Sequence, residues 1–136
     1  LVRTAPAELI RAQGSVTARR VVVATNAWAA SVPELARRFV CVGSAVIATP
    51  PVPDRLQSIG WTGGESITDS QTTVTYYRTT RDGRIVFGKG GGRLYYTGEP
   101  GELAFADPVG IAEATADFRR TYPMLADVPI ERTWSG

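Results

Sequence analysis

The spacing of hydrophobic positions changes several times along the chain, and each change marks an expected element. Val21-Val22-Val23-Ala24 is a continuous apolar run. Such runs belong to strands covered on both faces. The run ends at Thr25-Asn26-Ala27-Trp28, and small polar residues at the end of a buried strand are where α/β proteins place ligands. Ahead of it, Thr4 to Gly14 fits a short helix, with Thr4 as cap, Pro6 in the first turn and Gly14 as stop. The same residues fit a hairpin that turns at Gly14-Ser15 and returns through Val16–Arg20. The hairpin is favoured because it leads into the apolar run.

After Trp28 the pattern predicts a short helix, with Pro33 near its first turn and Glu34–Arg38 continuing it. Phe39 to Thr49 reads as a strand closed by Pro50-Pro51. Residues 50–68 are rich in Pro and Gly and read as an ordered loop around Trp61 with at most one short strand. Thr72–Thr79 is strand-like by composition, Asp82-Gly83 signals a hairpin turn, and Arg84–Phe87 returns from it. Gly88 to Gly92 reads as a flexible exit. Asp107-Pro108 is a helix start, with Asp as cap and Pro in the first turn. Ile111, Thr115, Phe118 and Tyr122 then fall on one helical face, and Pro123 stops the helix. Pro129 to Trp134 closes the chain as a strand. Hairpins with one long helix laid across them define an α+β fold, an antiparallel-dominated mixed sheet with a helix packed on it. The run Val21–Ala24 fits that picture badly and reads as a strand whose partners lie elsewhere.

Composition narrows the chemistry. The 136 residues suffice for one domain with a core, and an apolar share of 43% argues against disorder. A net charge of +2, with the arginines scattered, gives no footprint for nucleic acid. No apolar run approaches the roughly 20 residues of a membrane helix, so no membrane partner is expected and the cytoplasm is the default. There is no histidine, which removes the usual general base and a common metal ligand. The single cysteine, Cys41, sits in an apolar run and reads as a small buried hydrophobe. No metal site and no self-sufficient catalytic set is expected.

Two glycine-rich matches are set aside. Gly83–Lys89 matches G-x-x-x-x-G-K, but Gly90 stands where a phosphate loop needs Ser or Thr, and a strand-like run fills the loop. Gly88 to Arg93 has Arg93 where a dinucleotide fingerprint needs its third glycine. Tyr76, Tyr77 and Arg78 are the stronger candidates. Tyr76 and Arg78 share one strand face and Tyr77 takes the other. Tyrosine hydroxyls with a guanidinium suit a carboxylate-bearing substrate, while sheet packing explains the same residues equally well. Trp28, Trp61 and Trp134 each read more readily as core anchors than as pocket walls.

Four segments together resemble one family: Val16–Trp28, Val46–Pro50, Tyr76–Gly88 and Thr133–Gly136. Their order and spacing are similar to those of FAD-dependent oxidoreductases of the D-amino-acid oxidase type. Ala24-Thr25-Asn26-Ala27-Trp28 resembles the branch that includes gamma-glutamylputrescine oxidoreductase. The resemblance implies that residues 1–38 belong to the flavin domain, 39–128 to the substrate domain, and 129–136 to a strand returning toward the flavin. It implies FAD as cofactor, with Thr25, Asn26, Ala27, Trp134, Ser135 and Gly136 beside it, and Tyr76, Tyr77 and Arg78 on the substrate side.

The family's N-terminal G-x-G-x-x-G segment is not among these residues, nor is the stretch that follows Trp-Ser-Gly. The expectation is therefore a piece of a longer flavoenzyme, which on its own neither holds FAD nor turns over. The implied reaction oxidises a small amine or amino acid by hydride transfer to flavin. Since a flavin carries the hard chemistry, the missing histidine is no obstacle. The alternative is a stand-alone, non-catalytic α+β ligand-binding or interaction module. A further expectation is self-association through exposed sheet edges.

Overall fold

In the computed structural model, residues 7–91, 94–95 and 106–136 are described. The chain opens with a hairpin of β1 (Ala7–Arg11) and β2 (Gly14–Ala18). Arg11 pairs with Gly14, so the turn is Ala12-Gln13 and not Gly14-Ser15. Gly14 has φ +148°, which only glycine adopts freely, and it absorbs the reversal just after the turn. The proposed cap Thr4 lies outside the described residues.

Val21–Ala24 is not a strand among the described residues, and Val22 is 86% exposed. No described strand pairs with it, so its backbone groups face solvent instead of a ladder. The expected helix over 33–38 is also absent. Turns replace it, with Val32 C=O accepting from the Leu35 and Ala36 amides at 2.8 and 2.9 Å. The helical element comes earlier, as a 3-10 turn over Asn26–Ser31.

The strand expected over 39–49 is broken. It forms β3 (Cys41–Val42) and β4 (Ala45–Ala48), separated by Gly43-Ser44. The Pro-rich stretch holds a short helix, α1 (Pro53–Ser58), started by its proline, and then β5 (Ser66–Thr68). The expected hairpin is present as β6 (Thr75–Thr79) and β7 (Ile85–Lys89). Gly83 at φ +79° makes its turn possible. Gly88 and Lys89 belong to β7 and not to a flexible exit, because both neighbouring strands pair with them. β8 (Leu94–Tyr95) pairs with β3.

The long helix, α2, spans Pro108–Thr121. Asp107 caps it, its Oδ1 accepting from the Val109 amide at 3.1 Å. Its buried line is Gly110, Ala114, Asp117 and Phe118, with Ile111, Thr115 and Tyr122 half-buried beside it. A 3-10 turn over Pro123–Leu125 leads to β9 (Arg132–Ser135).

Five strands form one antiparallel sheet in the order β5-β6-β7-β4-β9, with α2 across β4, β7 and β9. The fold is α+β as expected. The core lies between sheet and helix: Ile47, Leu56, Ile85, Phe87, Phe118 and Leu125. Trp61, Tyr77 and Tyr122 extend it as an aromatic box. Trp61 stacks on Tyr122 at 5.2 Å, and Tyr77 stacks on Phe87 at 5.1 Å and meets Tyr122 edge-on at 5.5 Å. Arg55 closes this end by a bidentate contact to Asp127 at 2.9 and 2.8 Å.

Candidate functional site: an open sheet face beside an apolar groove

Alternation along the strands sends one set of side chains into the core and the other onto the uncovered face. The register places Thr68, Tyr76, Gly88, Val46 and Trp134 in one row across that face. The next row runs Ser66, Arg78, Val86, Ala48 and Arg132. The middle of the face carries small, buried residues, Gly88, Val46 and Ala48. Tyr76 comes from the strand on one side of them and Trp134, 43% exposed, from the strand on the other. Arg78 and Arg132, both exposed, supply the positive charge of the face.

Tyr76 and Arg78 share this face, as their spacing predicts, but Tyr77 does not join them. It points into the core, where it also hydrogen-bonds Tyr122. Burial, with that hydrogen bond second, pushes the Tyr122 phenol well above its ordinary value. A group so placed holds the back of the sheet and stays un-ionised at neutral pH.

The Tyr76 ring lies directly on Gly88. A β-carbon at Gly88 would fall 2.2 Å from the Tyr76 Cε2. From there the hydroxyl reaches Ser44 Oγ at 2.5 Å, and Ser44 Oγ donates to the Lys89 carbonyl at 3.2 Å. The Ser44 amide donates to Gly136 C=O at 2.7 Å, and the Gly136 amide donates back to Ser44 C=O at 3.0 Å. The sheet face is therefore linked, bond by bond, to the end of the chain.

Gly136 in turn lines a groove of about 550 Å³ together with Asn26, Ala27, Phe39, Val40 and Cys41. Two segments expected beside the cofactor, more than a hundred residues apart in sequence, meet here. Asn26 has φ +48°, a left-handed conformation that asparagine tolerates better than most residues, and it starts the 3-10 turn. Thr25 precedes it, its carbonyl accepting from the Trp28 amide at 3.2 Å. Cys41 Sγ donates to Ala27 C=O at 3.8 Å, which ties β3 to that turn. Cys41 is half-buried on the groove wall and not in the core. Ser135 is buried on the helix side, where its Oγ accepts from the Asp107 amide at 2.8 Å. It fixes the start of α2 and does not face the groove. Trp134 faces the open sheet.

Sequence reading missed Ser44, Gly88 and the groove walls Phe39 and Val40. The hairpin at Asp82-Gly83 contains the signal for Gly88, since pairing Thr79 with Ile85 puts Gly88 opposite Tyr76. The signal for Ser44 is weaker: a Gly-Ser step inside an otherwise apolar strand. No cluster of three or more potential metal ligands occurs among the described residues, and no described helix is long and apolar enough to cross a membrane.

The architecture is that of an α+β domain, a five-stranded antiparallel sheet backed by one main helix with an apolar groove at the loop before β3. The family described as FAD dependent oxidoreductase (DAO) matches residues 2–136, and the chain belongs to that family. It is similar to gamma-glutamylputrescine oxidoreductase of Escherichia coli (strain K12), with 31% identity over 135 residues, covering 98% of this chain and 30% of that protein. It is similar also to the protein named "Probable oxidoreductase OrdL" of Rhizobium meliloti (strain 1021), with 32% identity over 125 residues, covering 90% of this chain and 26% of that one. The protein of the same name from Haemophilus influenzae is 25% identical over 138 residues, covering 95% of this chain and 28% of its own length. The chain thus spans under a third of the length of these curated relatives. No solved structure matches.

Proposed function

We propose that this chain forms the substrate-facing part of an FAD-dependent oxidoreductase that oxidises a small amine or amino acid. The observation that carries the proposal is the meeting of Asn26, Ala27 and Gly136 in one groove that adjoins the open face bearing Tyr76, Arg78 and Trp134. Residues 1–38 then belong to the flavin side, 39–128 to the substrate side, and 129–136 link the two. The protein works in the cytoplasm.

The groove suits the flat ring end of a flavin. Ala27, Phe39 and Val40 offer apolar walls, and a β-carbon at Gly136 would meet nothing within 4 Å, so the backbone there is open to close approach. The described residues offer no glycine-rich cradle for the diphosphate end. FAD held there by Ala27, Phe39, Val40 and Gly136 would supply a two-electron acceptor for the hydride on the carbon next to nitrogen. The residues of this chain position the substrate. Tyr76 and Trp134 flank it, and Arg78 and Arg132 attract an anionic end. Tyr77 supports Tyr76's strand from behind.

The test is anaerobic mixing of the flavin-loaded product of the complete gene with a panel of amines and amino acids while the visible flavin absorbance is followed. Bleaching by at least one is expected. A flavin that every amine and amino acid leaves oxidised would refute the proposal.

A further inference from the structure

We propose that a second pocket, walled by Trp61 and Tyr122 and edged by Glu65, binds a small alkylammonium ion, its tail against the apolar walls and its nitrogen at the Glu65 carboxylate. The proposal goes beyond the function proposed above and does not rest on it. The pocket holds about 270 Å³, room for a chain of a few carbons. Register sets it apart from the open face. Ile67 of β5 pairs with Tyr77, so both side chains take the helix side of the sheet, while Tyr76 and Arg78 take the other.

Ile59, Ile67 and Met124 complete the walls, and Met124 is 53% exposed. Trp61 Nε1 is buried out of solvent reach, so the indole offers the pocket carbon. The Tyr122 hydroxyl is hydrogen-bonded with Tyr77 and stays protonated. Among the described lining residues Glu65 carries the only charge, and its carboxylate has no partner among the described residues. Arg55, which donates to the Met124 carbonyl at 2.5 Å, is matched by Asp127 and does not answer Glu65. A lone carboxylate beside aromatic and aliphatic carbon favours a cation with an apolar tail and repels an anion with the same tail. The carboxylate lies there because residue 63 is glycine. A β-carbon at Gly63 would overlap Glu65 Oε1 and fall 2.8 Å from its Cδ. Gly63 is not in the left-handed region, so alanine fits its backbone and only the Glu65 side chain has to move.

The test is NMR titration of the 136-residue chain with pentylammonium and with valerate, read at the methyl of Met124, the only methionine. Pentylammonium is expected to shift that methyl and valerate to leave it unmoved. Glu65→Gln should weaken pentylammonium by about three- to fivefold, the scale of one solvent-exposed charge pair. Gly63→Ala should weaken it by the same factor, since it displaces the tip of a flexible side chain and leaves the core alone. A pocket that merely collects apolar tails would take both ligands alike and ignore both substitutions, and that result overturns the proposal. A Met124 methyl that ignores pentylammonium overturns it as well. Tyr76 ring signals report the open face separately, and flavin bleaching in the complete protein is a different measurement, so either reading can fall while the other stands.

Discussion

Gly88→Ala places a methyl group where the Tyr76 ring now lies. The new carbon would sit 2.2 Å from Cε2 and 2.3 Å from Cζ, whereas ordinary contact begins near 3.4 Å. The ring must retreat by about 1.2 Å, and the hydroxyl moves with it. The 2.5 Å contact to Ser44 then opens beyond hydrogen-bonding reach. A lost hydrogen bond costs about 1 kcal/mol and a side chain forced off its rotamer about another 1 kcal/mol, so the substitution destabilises by about 2 kcal/mol. Glycine in a strand is otherwise a weak choice. In a Tyr76→Ala background the three nearest atoms are gone, and the same methyl stabilises by roughly 0.5–1 kcal/mol. The double-mutant cycle therefore carries a coupling of about 2–3 kcal/mol. Urea unfolding of the four proteins, followed by tryptophan fluorescence, measures it. Costs that add to within about 0.5 kcal/mol would show that the ring does not rest on Gly88.

Phe118→Ala removes a fully buried ring that meets Phe87 at 5.8 Å, and it should cost about 3–5 kcal/mol in the same urea assay. Asp69 accepts from the Thr75 hydroxyl and amide and from Gln71, which holds its carboxyl below the usual range. Its stabilisation is complete above the unfolded value of about 3.9 and is lost as pH falls through the depressed folded value. Asp69→Asn should accordingly flatten the loss of stability between about pH 5 and the acid limit, and an unchanged slope would count against the assignment. The 136-residue chain mixed with FAD and then desalted should show no bound flavin spectrum, because the described residues lack a diphosphate cradle. A retained visible band would overturn that expectation.

The local chemistry of the chain settled more of this protein than its long-range pairing. Asp107-Pro108 and Pro123 bound α2 without help from the rest of the fold, because a cap and a missing amide act within one turn. Asp82-Gly83 likewise fixed the β6–β7 hairpin, and with it the placement of Tyr76 and Arg78 on one face. The order and spacing of four segments was enough to suggest the family, since a sequence pattern can be read whatever its packing.

Only the tertiary structure decided what depends on non-local partners. Val21–Ala24 has the composition of a buried strand yet stays unpaired among the described residues, because a strand exists only with a neighbour to bond. Tyr77 and Tyr76 look alike in sequence. One turned into the core and the other to the uncovered face because α2 covers a single face of the sheet. Ser44, an unremarked residue between two strands, became the group that ties the Tyr76 hydroxyl to the Lys89 carbonyl and to Gly136. Asn26 and Gly136 met in one groove because β9 pairs with β4, bringing the end of the chain back to the loop before β3. No reading of either segment alone contains that meeting.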